Sequence, residues 1–323
     1  MHNSFPKKED IEALYPNLND EDVIEEFAKI SSDNGEKQVE IIDTLYKNKA
    51  DILKLSSEIE KVTASYKKIN TMFDFIVGDF FEIINYRNNV IKNDTKVRDN
   101  SLNRFLVHLL SSGKLFTDFL ENHFKDKYGK KSDEFNDFKA ILSKAYDENF
   151  VYRFFYSLRN FTQHVGFPIT SISSGLVSNQ EKESEEIEIF AFLEIDYLLT
   201  SNYDWKKIIK EDLLNLKKEN NNLEMFDLSA EYYKVMSLVM FKTKELFLEL
   251  NHLKMQSLIE QSDSLGLDKY PYALSKITKY NLIHNPTNFT LSPIFSKYDL
   301  IQVYLDLSKI GLVKITKPKN NHL

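Results

Sequence analysis

The chain has 323 residues, of which 42% are hydrophobic and 28% charged, and its formal net charge is −7. This is enough apolar material for one large domain or two modest ones, and the negative charge argues against a protein that coats nucleic acid by bulk electrostatics. The chain has no cysteine, which excludes disulfides, thiolate metal sites and a cysteine nucleophile. Only 8 glycines and 7 prolines are present, a composition that favours long helices over a turn-rich β fold.

The first ten residues lack the apolar run of a signal peptide, and no uncharged apolar stretch is long enough to cross a bilayer. Together with the absence of cysteine, this predicts a cytoplasmic protein that makes no contact with a membrane.

An apolar side chain recurs with strict 4-3 spacing along one stretch of the sequence. Its positions are Ile41, Leu45, Asn48, Ile52, Leu55, Ile59, Val62, Tyr66, Ile69, Phe73 and Ile76, and only Asn48 is polar. This spacing predicts one helix from about Glu36 to Val90, with Asn48 as a residue that fixes register. The seam can pack against helices of the same chain or form an intermolecular coiled coil.

The remaining periodicities predict an all-α helical bundle with one small inserted β-hairpin, the hairpin lying around 168–200. The pattern divides the chain into an N-terminal helical region (1–71), a central helical domain (72–262) and a small C-terminal region (263–323). The other helices are expected at 101–124, 132–165 with a kink or break near 147–149, 203–218, 229–261 and 297–309.

Common site signatures are missing from the sequence. There is no phosphate-binding glycine loop, no nucleophile elbow and no His-Glu-x-x-His motif. The seven histidines are scattered, so the sequence gives no reason to expect a bound metal or another cofactor. The chemistry that remains is carried by one short segment, Arg159-Asn160-Phe161-Thr162-Gln163-His164, at the end of a long amphipathic helix.

This segment resembles the R-x4–6-H motif of the HEPN family of ribonucleases. A polar residue, Asn160, directly follows the arginine, as is common in that family, and the surrounding run LRNFTQHVGFP is similar to the end of the motif helix in bacterial HEPN proteins. The resemblance is specific over about a dozen residues. It implies a helical fold and a metal-independent endoribonuclease that leaves a 2′,3′-cyclic phosphate and a 5′-hydroxyl.

The resemblance also implies a role for each residue of the motif. His164 is expected to act as general acid or base, because histidine titrates near neutral pH, and Arg159 to bind the scissile phosphate. Asn160 is expected to orient His164 or the phosphate by hydrogen bonding. Such proteins commonly act in phage defence, as abortive-infection effectors or as toxins, so a separate antitoxin or regulatory chain is a possible partner.

The resemblance further implies a homodimer, since the chain contains one copy of the motif. Arg159 and His164 are roughly 140° apart around an ideal helix, and one helix does not aim both at a single atom. Two copies facing each other across a two-fold axis would complete an RNA site.

Three other interpretations of the segment and its surroundings stay open. Arg159 and His164 can be an ordinary cationic helix end, the chain can be a non-catalytic HEPN-like module that binds RNA or a nucleotide, or it can be a helical coiled-coil scaffold.

An RNA cleft could be lined by basic residues, and bases could stack on aromatic side chains that otherwise pack in the core. The basic candidates are Lys92, Arg98, Arg104, Lys125, Lys127, Lys130, Lys131 and Arg153, and the aromatic ones are Tyr152, Phe154, Phe155 and Tyr156.

Overall fold

The structure is a computed structural model. It describes residues 19–33, 36–41, 48–93, 99–179, 184–267, 272–284 and 290–314, together with the isolated residues 13, 16 and 17. Helices dominate, and no helix in these ranges is both long and apolar enough to cross a membrane. The helices are α1 (Lys49–Asn93), α2 (Asp99–Tyr128), α3 (Asp133–Glu148), α4 (Phe150–His164), α5 (Ile195–Thr200), α6 (Lys207–Lys217), α7 (Met225–Ser264), α8 (Lys279–His284) and α9 (Lys297–Lys309).

The strands form two small antiparallel sheets. They are β1 (Val23–Asp33), β2 (Glu36–Ile41), β3 (Ser171–Asn179), β4 (Ser184–Glu194), β5 (Asn222–Glu224), β6 (Tyr272–Thr278) and β7 (Thr290–Ile294). One sheet has the order β2-β1-β6-β7 and the other has the order β3-β4-β5. The predicted β-hairpin is confirmed as β3 and β4, whose pairing runs from Ser171 opposite Phe192 to Asn179 opposite Ser184. The four-stranded sheet was not predicted, so the chain is predominantly helical rather than all-α.

The prediction of a helix from Glu36 was wrong, and with it the interpretation of 1–71 as helical. Glu36–Ile41 is a strand that pairs with β1, and β1 in turn pairs with β6 from the far end of the sequence. The long helix begins only at Lys49, so Asn48 precedes it and is exposed. Asn48 therefore does not fix the register of a buried seam. Leu45 lies outside the described residues.

From Ile52 onward the 4-3 pattern does mark a helix face, and that face is buried within this chain. Its buried members are Ile52, Leu55, Ile59, Val62, Tyr66, Ile69 and Ile76, none more than 4% exposed. Because these side chains are already covered in a single copy, the intramolecular alternative is correct. An intermolecular coiled coil along this face is excluded.

Two compact units divide the described residues. One contains those of 1–66 and 249–323, and the other contains 67–248, with both boundaries falling inside the long helices α1 and α7. The sequence suggested three consecutive regions instead and did not anticipate that the two ends of the chain share a unit. The motif helix, the β3-β4-β5 sheet and helices α2 to α6 all belong to the second unit.

The expected break near 147–149 is confirmed at Asn149, and it separates α3 from α4. Ser132 caps the start of α3, because its hydroxyl accepts a hydrogen bond from the Phe135 backbone N–H at 3.1 Å. At the break, the Asn149 backbone N–H and side-chain amide both donate to the Ala145 carbonyl. These bonds close the end of α3, and α4 follows as a separate helix whose last residue is His164.

Candidate functional site

Helix α4 is buried along most of its length, and its C-terminal end reaches the surface. Its first three turns contribute seven buried side chains, whereas Arg159 and Asn160 are half-buried and Gln163 and His164 are exposed. The motif therefore occupies the point where a core helix reaches the surface. A rigid buried helix is a suitable support for groups that must hold a fixed position.

Phe161 anchors this end of the helix. It is fully buried, with its ring stacked on Trp205 at 5.5 Å between centroids and edge-on to Tyr203 at 5.6 Å. Trp205 is held in turn by a 2.8 Å hydrogen bond from its indole N–H to the Leu198 carbonyl. Because Phe161 lies in the middle of the motif, this aromatic cluster fixes the rotation of the helix and hence the directions of its neighbours.

The hydrogen-bond donors of the Arg159 guanidinium are only partly satisfied. Its Nη1 donates to Oε1 of Gln163 at 3.2 Å, one turn along the same face. Its Nε is buried and has no hydrogen-bond partner among the described residues. A buried guanidinium N–H without an acceptor is uncommon in native structures and calls for an explanation. Gln163 thus holds one side of the Arg159 guanidinium and leaves Nε free for another acceptor.

Asn160 is engaged with Tyr203 rather than directed freely into solvent. Burial raises the pKa of the Tyr203 hydroxyl, and a side-chain hydrogen bond with Asn160 opposes that rise. The same hydroxyl donates to the Ser157 backbone carbonyl at 3.1 Å. These contacts make Asn160 a positioning residue for the helix end in this structure.

His164 is the last residue of α4 and is exposed. Neither of its ring nitrogens has a hydrogen-bond partner in the described part of the chain, so both are open to a ligand. The helix ends cleanly just beyond it, because the N–H groups of Val165 and Gly166 both donate to the Phe161 carbonyl. Phe167, three residues after His164, leaves 57% of its surface exposed.

One of the proposed RNA-cleft residues is assigned wrongly, because Arg153 is a buried structural residue. Its Nε donates to Oδ2 of Asp212 in α6 at 2.7 Å, and its Nη1 reaches the backbone carbonyls of Tyr146 and Asp147 at 3.3 and 3.2 Å. It therefore ties α4 to the end of α3 and to α6. No local pattern indicated this role, because Asp212 is distant along the chain.

The other basic candidates have varied surroundings. Lys125, Lys130 and Lys131 are exposed, Arg104 lies over the Phe105 ring at 4.8 Å, and Lys127 lies over the Tyr128 ring at 4.9 Å. Arg98 and the side chain of Lys92 lie outside the described residues. Among the described contacts, none joins these groups to Arg159 or His164, so a continuous basic cleft stays a prediction.

Three of the four aromatic candidates pack in the core. Tyr152, Phe154 and Phe155 are buried, as the core interpretation expected. Tyr156 is 37% exposed and lines a groove of about 340 Å³, where Lys206 lies over its ring at 5.6 Å. Lys114 also lies over this ring, and two acidic residues share the groove with the lysines. The groove is therefore of mixed charge.

A cluster outside the motif was missed by the sequence analysis. Asp79 and Glu82 of α1 lie beside His108 of α2, and one ligand atom from each falls within 4.8 Å of the others. The spacing Asp-x-x-Glu places the two carboxylates on one helix face, a signal visible in the sequence. The histidine comes from a different helix, so no local pattern could have connected it to them.

Comparisons with family models, with curated proteins and with solved structures found no match to this chain. The geometry of the helix end therefore carries the functional argument.

Proposed function

We propose that the chain is a metal-independent, HEPN-like endoribonuclease that works as a homodimer in phage defence, as an abortive-infection effector or as a toxin. The observation that carries the proposal is the buried Nε of Arg159, which has no acceptor in the described part of the chain although Nη1 is held by Gln163. The exposed His164 ends the same helix. A cytoplasmic location and a separate antitoxin or regulatory chain belong to the same proposal.

The positive charge and the unpaired donor of Arg159 favour an anionic ligand. An arginine presents a planar fork of donors that matches phosphate oxygens, and its charge is retained at any physiological pH. Leaving a donor of a charged group buried and unpaired costs stability, typically about 1–3 kcal/mol or more. A phosphate oxygen would satisfy that donor, and Gln163 keeps the guanidinium from rotating away. The proposed role of Arg159 is to bind the scissile phosphate and its developing negative charge.

The role of His164 follows from the chemistry of RNA cleavage. The ribose 2′-oxygen attacks phosphorus and forms a bond to it, while the bond from phosphorus to the 5′-oxygen breaks. One general base takes the 2′-hydroxyl proton, and one general acid gives a proton to the leaving 5′-oxygen. Each chain supplies one motif histidine, so the two tasks fall to the two His164 residues of a dimer.

Phe167 adds support for a nucleic-acid ligand. Most of its ring is exposed immediately after the motif, and exposed aromatic rings bind bases by stacking without regard to sequence. In this proposal it holds a base next to the phosphate that Arg159 binds.

A non-catalytic RNA-binding module is the second candidate, and one observation favours it. Asn160 is engaged with Tyr203, so it is less available to orient His164. The phosphate contact of Arg159 would be shared by both candidates. They differ in one outcome, since the module would bind RNA without cutting it.

Incubation of the purified protein with total RNA in EDTA tests the proposal. The wild type is expected to cleave, and His164→Ala to lose about 100-fold or more of the rate, the usual range for removing a general acid or base. His284→Ala is the matched control, because His284 is also an exposed final residue of its helix. Equal cleavage by wild type and His164→Ala, or cleavage that requires added Mg²⁺, would contradict the proposal.

A further inference from the structure

A second group of functional side chains lies outside the motif helix, between α1 and α2. Asp79 and Glu82 are three residues apart on α1 and share a face, while His108 projects from α2. One ligand atom of each residue lies within 4.8 Å of the other two. Glu82 and His108 are exposed and Asp79 is half-buried, so the cluster is open to solvent on one side.

The charge balance of this cluster is unfavourable by itself. Two carboxylates face each other, and neither has a lysine or arginine within ion-pair distance among the described residues. Burial raises the pKa of the Asp79 carboxyl, the Ser112 hydroxyl and the His108 imidazole oppose the rise, and Glu82 adds to it. A cation between the carboxylates would remove their repulsion.

We propose that Asp79, Glu82 and His108 bind one divalent transition-metal ion, with Zn²⁺ the best fit. An imidazole nitrogen with two carboxylate oxygens is a donor set that Zn²⁺ accepts, whereas Mg²⁺ and Ca²⁺ prefer oxygen ligands alone. Around Zn²⁺ with ligand distances of about 2.0–2.2 Å, donor atoms stand roughly 3.3 Å apart. Ion binding therefore requires side-chain rotations that bring the three ligand atoms closer than their present spread of up to 4.8 Å. Three protein ligands leave a fourth position for water.

Ser112 completes the environment of this site. It lies one turn after His108 on α2, and its side chain hydrogen-bonds to Asp79. Such a contact to a ligating carboxylate orients it toward the ion and tunes its affinity. Ligands from α1 and from α2 would couple the two helices, so ion binding is expected to stabilise the folded chain.

Isothermal titration of the full-length protein with ZnCl₂ tests the site. One Zn²⁺ per chain is expected, with a rise in Tm at saturation and no comparable response to MgCl₂. Co²⁺ bound in place of Zn²⁺ is expected to show visible absorption bands that His108→Ala abolishes. Ser112→Ala should weaken Zn²⁺ binding about 10-fold, and Asp79→Asn or His108→Ala should weaken it further.

Two matched variants control for binding elsewhere. Asp74→Asn removes an exposed carboxylate from α1, and His284→Ala removes an exposed histidine from α8, so both should leave Zn²⁺ binding unchanged. Absence of stoichiometric binding by the wild type, or unchanged affinity in His108→Ala with intact helical content, would overturn the proposal. The result is independent of the ribonuclease proposal, which concerns cleavage of RNA in EDTA.

Discussion

Helix α4 carries two arginines, Arg153 and Arg159, and their surroundings differ in one decisive way. Near the start of the helix, Arg153 is 8% exposed and directs its donors to one carboxylate and two backbone carbonyls. Near the end, Arg159 is half-buried and donates one hydrogen bond to Gln163, and its buried Nε meets no acceptor within the described ranges. Among the described residues, Arg153 thus leaves no buried donor without a partner, whereas Arg159 leaves its Nε unpaired.

This difference separates the structural role of Arg153 from the ligand-binding role proposed for Arg159. A buried arginine whose donors are satisfied within the chain stabilises the arrangement of the elements it joins. A buried arginine donor that the chain leaves unsatisfied costs stability, and a ligand that supplies the acceptor compensates for it. We therefore expect substitution of Arg153 to lower the stability of the fold and substitution of Arg159 to lower the activity.

The largest expected effect is on catalysis, in Arg159→Lys. Lysine keeps the positive charge but lacks the planar fork and the N–H at the position of Nε, so phosphate binding in the transition state should weaken. We expect the rate of RNA cleavage to fall about 100-fold, with Tm unchanged or slightly raised. Single-turnover cleavage assays measure the rate, and thermal unfolding measures Tm. A variant that cleaves at the wild-type rate would show that the unpaired Nε has no part in catalysis.

A smaller effect is expected on stability, in Arg153→Met. Methionine fills similar space but leaves Asp212 without its partner and two carbonyls without a donor. Removing one partner from a buried pair costs about 3–5 kcal/mol, and partial exposure of Asp212 places this case near 3 kcal/mol. Urea unfolding of wild type and variant measures the loss. If the free energy of unfolding changes by less than about 1 kcal/mol, Arg153 does not hold α3, α4 and α6 together.

Local signals in the sequence predicted much of the fold. The glycine at 311, whose φ is +80°, marked the end of the helix expected at 297–309, which is α9. The polar turn between alternating residues gave the β3-β4 hairpin, and Asn149 gave the break before the motif helix. Each of these features is specified by residues that are close together in the chain.

Features that depend on distant residues were missed. Ile41 of β2 belongs to the 4-3 pattern that predicted a helix. The structure of β2 is instead set by pairing with β1, which itself pairs with β6 more than two hundred residues away. The burial of Arg153 depends on Asp212, and the cluster at Asp79 depends on His108. In the motif, no local pattern indicated that Tyr203, from a later segment of the chain, engages Asn160.

The central claim is that each copy of α4 supplies half of a ribonuclease site. Mixing wild-type and His164→Ala chains in varied ratio at constant total protein concentration, with unfolding and refolding to randomise pairs, tests it most directly. If both histidines are needed, activity should fall with the square of the wild-type fraction, to about one quarter of the undiluted rate in an equal mixture. A linear fall, to about one half, would show that each chain cleaves RNA alone and would contradict the two-copy site.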